Sequence, residues 1–271
     1  MNDFYFQKTK EVVTLHCKAL DEAGFVRHCF TTRHGGVSQG YLGTMNLSFS
    51  REDRAAVSEN YRRLCQAEGF CLPRFTLTKQ VHQTDVLTVE ETRAGMGMTK
   101  QSDFAAADGL ITDLPETPLA AFTADCGGIL LADPVKKAVA AVHSGWRGTL
   151  AGIGAEAVHA MTERYGTDPK NVIVAIGPCI GPCCFEVGRD VYDAFTDRWG
   201  EQELFTPKGE KYLLNLWRAL ELVLLNAGVR AQNIHCAEIC TMCHADEFYS
   251  HRATAGKRGN MAAVIEIRRD V

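Results

Sequence analysis

Two hydrophobic periods alternate along this chain. Short apolar or β-branched runs bounded by turn residues predict strands at Val12–Cys17, Phe25–Thr31, Asp85–Glu90, Leu119–Thr123, Asn171–Ile176, Ile234–Ile239 and Met261–Ile267. Gly128–Ala132 and Ala138–His143 flank Asp133-Pro134, a spacing that predicts a hairpin. Between these runs, apolar residues recur every three to four positions. Arg54–Glu68 carries Val57, Tyr61, Leu64 and Cys65 on one face; Thr149–Tyr165 carries Ile153, Ala157, Ala160 and Met161. Val187–Trp199 and Leu213–Ala227 show the same period, the latter stopped by Gly228. Strands that follow one another directly, mixed with helices, predict an α/β (α+β) fold: a layered domain with a mixed β-sheet flanked by helices. There is no fixed-period repeat, low-complexity tract or Pro/Ser linker, so residues 1–271 read as a single domain.

Composition narrows the class. At 271 residues the chain can bury a sizeable core without staples. Lys+Arg 29 against Asp+Glu 33 gives a formal net charge of -4, which argues against a nucleic-acid partner living on phosphate contacts. No apolar run approaches the ~20 residues that span a bilayer, so no membrane partner is expected. The N-terminal MNDFYFQKTKEVV lacks the pattern of a signal peptide, and the expected location is cytoplasmic. The 11 cysteines are then mostly reduced, buried small residues, with a few ligands or nucleophiles among them.

Four segments carry candidate chemistry. In the first, Asp125-Cys126 ends one apolar strand and His143 another, and His82 begins a third short strand. One thiolate and two imidazoles make a three-ligand zinc set with an open position; satisfied core residues are the alternative. Arg147 follows at a Gly-Trp turn expected to open a helix, a natural anion site, and Trp146 could stack on a base. In the second, Cys236, Cys240 and Cys243 have the C-x3-C-x2-C spacing of an iron–sulfur run; a zinc site completed by His244, or plain core cysteines, are the alternatives. In the third, IGPCIGPCCFEVG forces two tight turns. Its adjacent Cys183-Cys184 are not expected to chelate one ion together; they read as part of a structural loop, with a redox-active pair as the alternative, and Glu186 is a general base or a helix-start acid. In the fourth, Arg33 precedes two glycines that let a ligand approach the backbone.

TTRHGGVS, MNL, QVHQTDV, ADGLITD, TADC, HSGWRGTLAG, IGPCIGPCCFEVG, LNLW and CTMC…FYSHR…RGNMAAVI occur in this order across nearly the whole chain. Together they resemble the purine nucleoside phosphorylase family formerly catalogued as multicopper polyphenol oxidases or laccase-domain proteins. The resemblance implies a cytosolic enzyme that phosphorolyses adenosine, inosine, guanosine and methylthioadenosine, with some adenosine deamination. It implies one zinc on His82, Cys126 and His143, with copper as an opportunistic occupant. The expected catalytic residues are Cys126, His143, Asp125 and Arg147; Arg33, Arg147, Asn46 and Gln80 are expected to bind substrate and phosphate. Partners are then a purine nucleoside and phosphate, in a monomer or small homo-oligomer. Three features depart from the family pattern: Ser144 for the usual Ala, Gly128 where Pro is common, and a longer HRATAGKRG tail that could alter substrate preference.

Other readings remain. Cys126 with His143 as base, oriented by Asp125 or Gln80, would make a thiol hydrolase or amidase, or the same residues a zinc hydrolase, editing peptidoglycan precursors. A non-enzymatic metal-binding module is another. A blue-copper polyphenol oxidase needs about ten histidines, many in H-x-H pairs. This chain has 9 histidines and no H-x-H.

Overall fold

A computed structural model describes residues 3–50, 52–101, 106–200 and 203–269. In chain order the strands are β1 Phe4–Thr9, β2 Val12–Cys17, β3 Val26–Thr31, β4 Val86–Thr88, β5 Gly109–Thr112, β6 Leu119–Thr123, β7 Gly127–Asp133, β8 Ala138–Ser144, β9 Ile173–Ile176, β10 Glu186–Val187, β11 Phe205–Lys208, β12 Lys211–Leu214, β13 Ile234–Cys236 and β14 Met261–Ile267. The helices are α1 Lys18–Glu22, α2 Arg54–Glu68, α3 Trp146–Ala151, α4 Ile153–Tyr165, α5 Arg189–Trp199 and α6 Leu216–Asn226.

The class is mixed α/β, and the strands divide among three sheets rather than one. An antiparallel sheet has the order β1-β2-β3-β14-β6; a mixed sheet has β13-β9-β7-β8-β5-β4; β10-β12-β11 form a small third sheet. The period-2 rule shows how the two large sheets stack. Along β8, Ala138, Ala140 and Val142 join a core under α4, α5 and α6, while Val139 and Ala141 join a core shared with β2, β3 and β14. Along β14, Ala263 and Ile265 face that shared core, while Ala262 and Val264 meet Val57, Tyr61 and Leu64 of α2. The layers therefore run α2, antiparallel sheet, mixed sheet, α4–α6. Strands buried on both faces explain why β7, β8 and β14 read as unbroken apolar runs rather than alternating ones.

Local chemistry accounts for the element ends. Asp53 caps α2 by accepting the Ala55 N–H, and Gly69 closes it in the left-handed region at φ 78. The expected hairpin forms with Asp133 opposite Ala138, and the Asp133 carboxylate accepts the turn N–H groups of Val135 and Lys136. Two helix expectations change. The predicted Thr149–Tyr165 helix is two helices, because Gly152 at φ 92 breaks it. The predicted Leu213–Ala227 helix begins only at Leu216, because Leu213 and Leu214 pair with β11 and Asn215 caps the helix through the Arg218 N–H. Strands β1, β5, β10, β11 and β12 carry too weak or too short a pattern to stand out; Tyr5 and Phe6 of edge strand β1 are exposed. No described helix is long and apolar enough to cross a membrane.

Candidate metal and active site

The site lies where the chain passes from one large sheet to the other. β6 belongs to the antiparallel sheet and β7 to the mixed one, so Ala124-Asp125-Cys126 is the crossover. Asp125 turns it with φ 87, a left-handed conformation that a non-glycine residue holds only when its surroundings fix it. They do: the Asp125 carboxylate accepts Thr241 Oγ1–H at 2.7 Å and the Arg252 N–H at 2.6 Å, and its carbonyl accepts the Ile180 N–H at 2.9 Å.

His143 has the same parity as Val139 and Ala141, so it points from β8 toward the space between the sheets. Gly109 pairs with Val142 across β5 and β8, which puts Asp108 opposite His143. The His143 N–H donates to the Asp108 carbonyl at 2.7 Å, and His143 Nδ1 meets Asp108 Oδ1 at 2.7 Å. The same carboxylate accepts the backbone N–H groups of Val81, His82 and Gln83, each at 3.0 Å. Asp108 thus orients one histidine by its side chain and the loop bearing another by its backbone. His82 sits in that loop with φ 62, the second left-handed non-glycine of the site.

The three side chains converge. Cys126 Sγ lies 3.9 Å from His82 Nε2, and the two imidazoles stand edge-on with centroids 4.7 Å apart. The potential ligand atoms of His82, Cys126 and His143 all lie within 4.8 Å of one another. Asp108 occupies His143 Nδ1, which leaves Nε2 for a metal; a carboxylate behind a ligating imidazole is the usual supporting arrangement. Space is kept open by Gly145, where a Cβ would lie 2.9 Å from Cys126 Sγ and 3.1 Å from His82 Cδ2. One thiolate, two imidazoles and a face left open by the exposed His82 fit a zinc ion with a free fourth position.

Electrostatics agree with the donor set. Burial alone would raise the Cys126 thiol, but hydrogen bonds from His143 and His82 outweigh it and bring it down to about 6. Burial would lower His143, yet Asp108 and Cys126 raise it to about 9. Burial would raise Asp108, and bonds from His143 and the Gln83 and Val81 N–H groups hold it at about 2. Cys126 is thus a thiolate at neutral pH, and a metal entering at His143 Nε2 would displace the proton that the imidazolium carries there.

The other expected site residues divide. Arg147 is exposed, its guanidinium 4.3 Å over the Trp146 ring, and among the described residues no carboxylate pairs with it. It follows Gly145, which borders Cys126 and His82, by two positions. Trp146 is thus taken up by Arg147. Helix α3 is one short turn and a half and ends at Ala151, so the long helix expected to present its N-terminus there is not formed. Arg33 spends Nε and Nη2 on the Gly43 carbonyl and Nη1 on that of Ala245, clamping two loops over Tyr249. Asn46 is buried and fully occupied by Ser48, Glu52 and Asn260. Both ends of the Gln80 amide pair with the Phe122 backbone. Glu186 is ion-paired to Lys211 and Lys208, which keep its carboxyl below the usual range.

The cysteine expectations are corrected as well. Cys183 and Cys184, adjacent in sequence, do bring their sulfurs to one place, with Cys240 and Cys243. Cys236 and His244 do not belong to that group; His244 lines a cavity of about 380 Å³ with Phe6, His34 and Phe248. Of the departures from the family pattern, Ser144 bonds Thr149 at 2.8 Å and ties β8 to α3, and Gly128 leaves room for Ala263, whose Cβ would be 2.8 Å from an added one. The residue that sequence reasoning missed is Asp108. Its signals are its place in the ADGLITD motif and directly before a buried apolar strand, and pairing with β8 gives it meaning.

Fold and site together define a mixed α/β protein with an open histidine–cysteine group that could hold a metal ion. A family model described as multi-copper polyphenol oxidoreductase laccase matches residues 27–268, and the chain belongs to that family. The purine nucleoside phosphorylase YlmD of Geobacillus stearothermophilus is 38% identical over 264 residues, 93% of each chain. A purine nucleoside phosphorylase of Bacteroides thetaiotaomicron is 31% identical over 264 residues, covering 96% of this chain and 98% of its own. The crystal structure of YlmD from Geobacillus stearothermophilus superposes with a TM-score of 0.89 at 35% identity, covering 97% of this chain and 99% of that one.

Proposed function

We propose that this protein is a zinc-dependent purine nucleoside phosphorylase acting on adenosine, inosine, guanosine and methylthioadenosine, with adenosine deamination as a side activity. The observation that carries it is the His82–Cys126–His143 group with one open side, in a chain matched over 93% and 96% of its length by relatives named purine nucleoside phosphorylase. Zinc bound there would supply a Lewis acid and lower the pKa of a bound water to about 7. Asp108 holds His143 in one tautomer and fixes the His82 loop, so no ligand has to reorganise when substrate arrives. Arg147, exposed two residues from Gly145 and without a carboxylate partner among the described residues, is assigned to phosphate, which it can clamp through two parallel N–H groups. Holding phosphate against the anomeric carbon removes much of the entropic barrier. Arg33, Asn46 and Gln80 act by fastening the loops around the site rather than by touching substrate.

Purified protein incubated with inosine and phosphate should release hypoxanthine and ribose-1-phosphate. No product from any of the four nucleosides would overturn this function. Arg147→Ala should raise KM for phosphate about tenfold or more, as loss of a charge-assisted bond worth about 1.5–3 kcal/mol implies, with little change in KM for inosine. Steady-state kinetics in both substrates reads the difference.

A second reading has one observation in its favour. Cys126, His143 and Asp108 form a nucleophile–base–orienter series, with Asp108 in the place expected of Asp125 or Gln80. That arrangement would suit a thiol hydrolase or amidase. Metal content separates the two: activity that survives full removal of zinc and is abolished by iodoacetamide favours the thiol.

A further inference from the structure

We propose that Cys183, Cys184, Cys240 and Cys243 form a second metal site, a closed tetrathiolate that holds one zinc ion. Four sulfurs from two segments far apart in sequence all lie within 4.8 Å of one another. Cys243 Sγ is 3.5 Å from Cys183 Sγ and 3.4 Å from Cys184 Sγ. Sulfurs at the corners of a zinc tetrahedron with Zn–S of ~2.3 Å stand about 3.8 Å apart. The observed spacing is close to that and well beyond the ~2.05 Å of a disulfide, and all four cysteines are free thiols.

The backbone assembles the group without help from an ion. Cys179 and Cys240 form a β-bridge, with the Cys179 N–H on the Ile239 carbonyl at 3.2 Å and the Thr241 N–H on the Cys179 carbonyl at 3.3 Å. The following turn closes when the Cys184 and Phe185 N–H groups both donate to the Gly181 carbonyl, which brings two consecutive cysteines over Cys243. The Gly181 N–H donates to Cys240 Sγ at 3.2 Å, a bond that favours a metal-bound thiolate. Gly181 is needed there, because a Cβ would lie 2.6 Å from the Trp217 ring and 3.1 Å from Cys240 Cβ. Four soft donors and no open side give a structural zinc site, distinct in ligand set from the three-ligand group.

Its purpose follows from what the two segments hold. Ile180, from the first, donates to the Asp125 carbonyl, and Thr241, from the second, donates to the Asp125 carboxylate. A zinc ion on the four cysteines staples together the two loops that fix Asp125 in its left-handed turn beside Cys126.

Native mass spectrometry of the full-length protein purified without chelator tests this. The wild type should carry two zinc ions per chain, and Cys126→Ala and the Cys183→Ser/Cys243→Ser double variant one each. Should the double variant fail to fold, wild-type apoprotein titrated with Co²⁺ gives the answer. A second equivalent should develop the intense near-ultraviolet sulfur-to-cobalt absorption of a multi-thiolate site, and zinc should protect Cys183 and Cys243 from iodoacetamide. Saturation at one equivalent with Cys183 and Cys243 alkylated equally with and without zinc overturns the proposal. A Cys183–Cys243 or Cys184–Cys243 disulfide in protein prepared under reductant overturns it too.

Discussion

Cys126→Ala is expected to remove one zinc ion per chain and to lower phosphorolysis of inosine by on the order of 10²–10³-fold or more, the loss that follows removal of a single key electrostatic group from an active site. The sulfur is the one anionic donor of the three, and its thiolate is already favoured by two histidines. Two neutral imidazoles would remain, fewer protein ligands than the three that hold a catalytic zinc. Because the thiol reading also predicts a dead alanine variant, the informative partner is Cys126→Asp. An aspartate restores an anionic ligand without a sulfur nucleophile. Recovery of metal and part of the activity supports zinc chemistry; recovered metal with no turnover would shift the assignment to attack by the thiolate. Metal content by mass spectrometry and coupled detection of hypoxanthine read both.

Asp108→Ala is the second large effect, although Asp108 touches no substrate in this scheme. The substitution strips His143 of its partner and leaves the Val81, His82 and Gln83 N–H groups without an acceptor. Breaking a buried pair of this kind costs about 3–5 kcal/mol of stability. Loss of the partner behind a ligating histidine typically lowers metal affinity by roughly 10–100-fold. Asp108→Asn is the milder variant: one amide oxygen can still face His143, but the amide N–H₂ opposes two backbone donors. Denaturant unfolding and competition with a chelator measure the two losses separately, and an alanine variant with unchanged zinc affinity would remove Asp108 from its positioning role.

The same residue sets a pH signature in the metal-free protein. The Asp108 carboxyl is held at about 2, below its ordinary value of ~3.9, so its contribution is complete above pH ~4 and is lost as pH falls through about 2. His143 is raised to about 9, above ~6.5, so its contribution is complete below pH ~6.5 and is lost as pH rises through about 9. Without Asp108 the variant should lose less stability than the wild type at both extremes, which thermal unfolding from pH 2 to 10 would show.

The pattern of apolar positions carried much of the fold. Arg54–Glu68 is a helix over the predicted span because an amphipathic face, an aspartate cap and a closing glycine agree. The β7–β8 hairpin is legible for the same reason: two apolar runs with turn chemistry between them. The break at Gly152 was not legible, since a lone glycine in a helical pattern is tolerated as often as it terminates. Nor was the division into stacked sheets. Strands buried on both faces lose their alternation, and an unbroken apolar run does not say which layer lies on either side.

At the site the division has the same cause. Residue type alone marks His82, Cys126 and His143 as donors, because only a few side chains can bind a soft ion, and their motifs carry the family resemblance. Composition likewise bears on the copper oxidase reading, since 9 histidines without an H-x-H pair fall short of the about ten, many in H-x-H pairs, expected of a four-copper centre. Which acidic residue supports the donors is a matter of strand register, and register placed Asp108 rather than Asp125 behind His143. Which cysteines belong together is a matter of which loops lie side by side. Spacing joined Cys236 to Cys240 and Cys243 and set Cys183-Cys184 aside; a β-bridge between Cys179 and Cys240 reversed both. The sequence determines what each side chain can do. Long-range pairing, which no local pattern encodes, decides which of them meet.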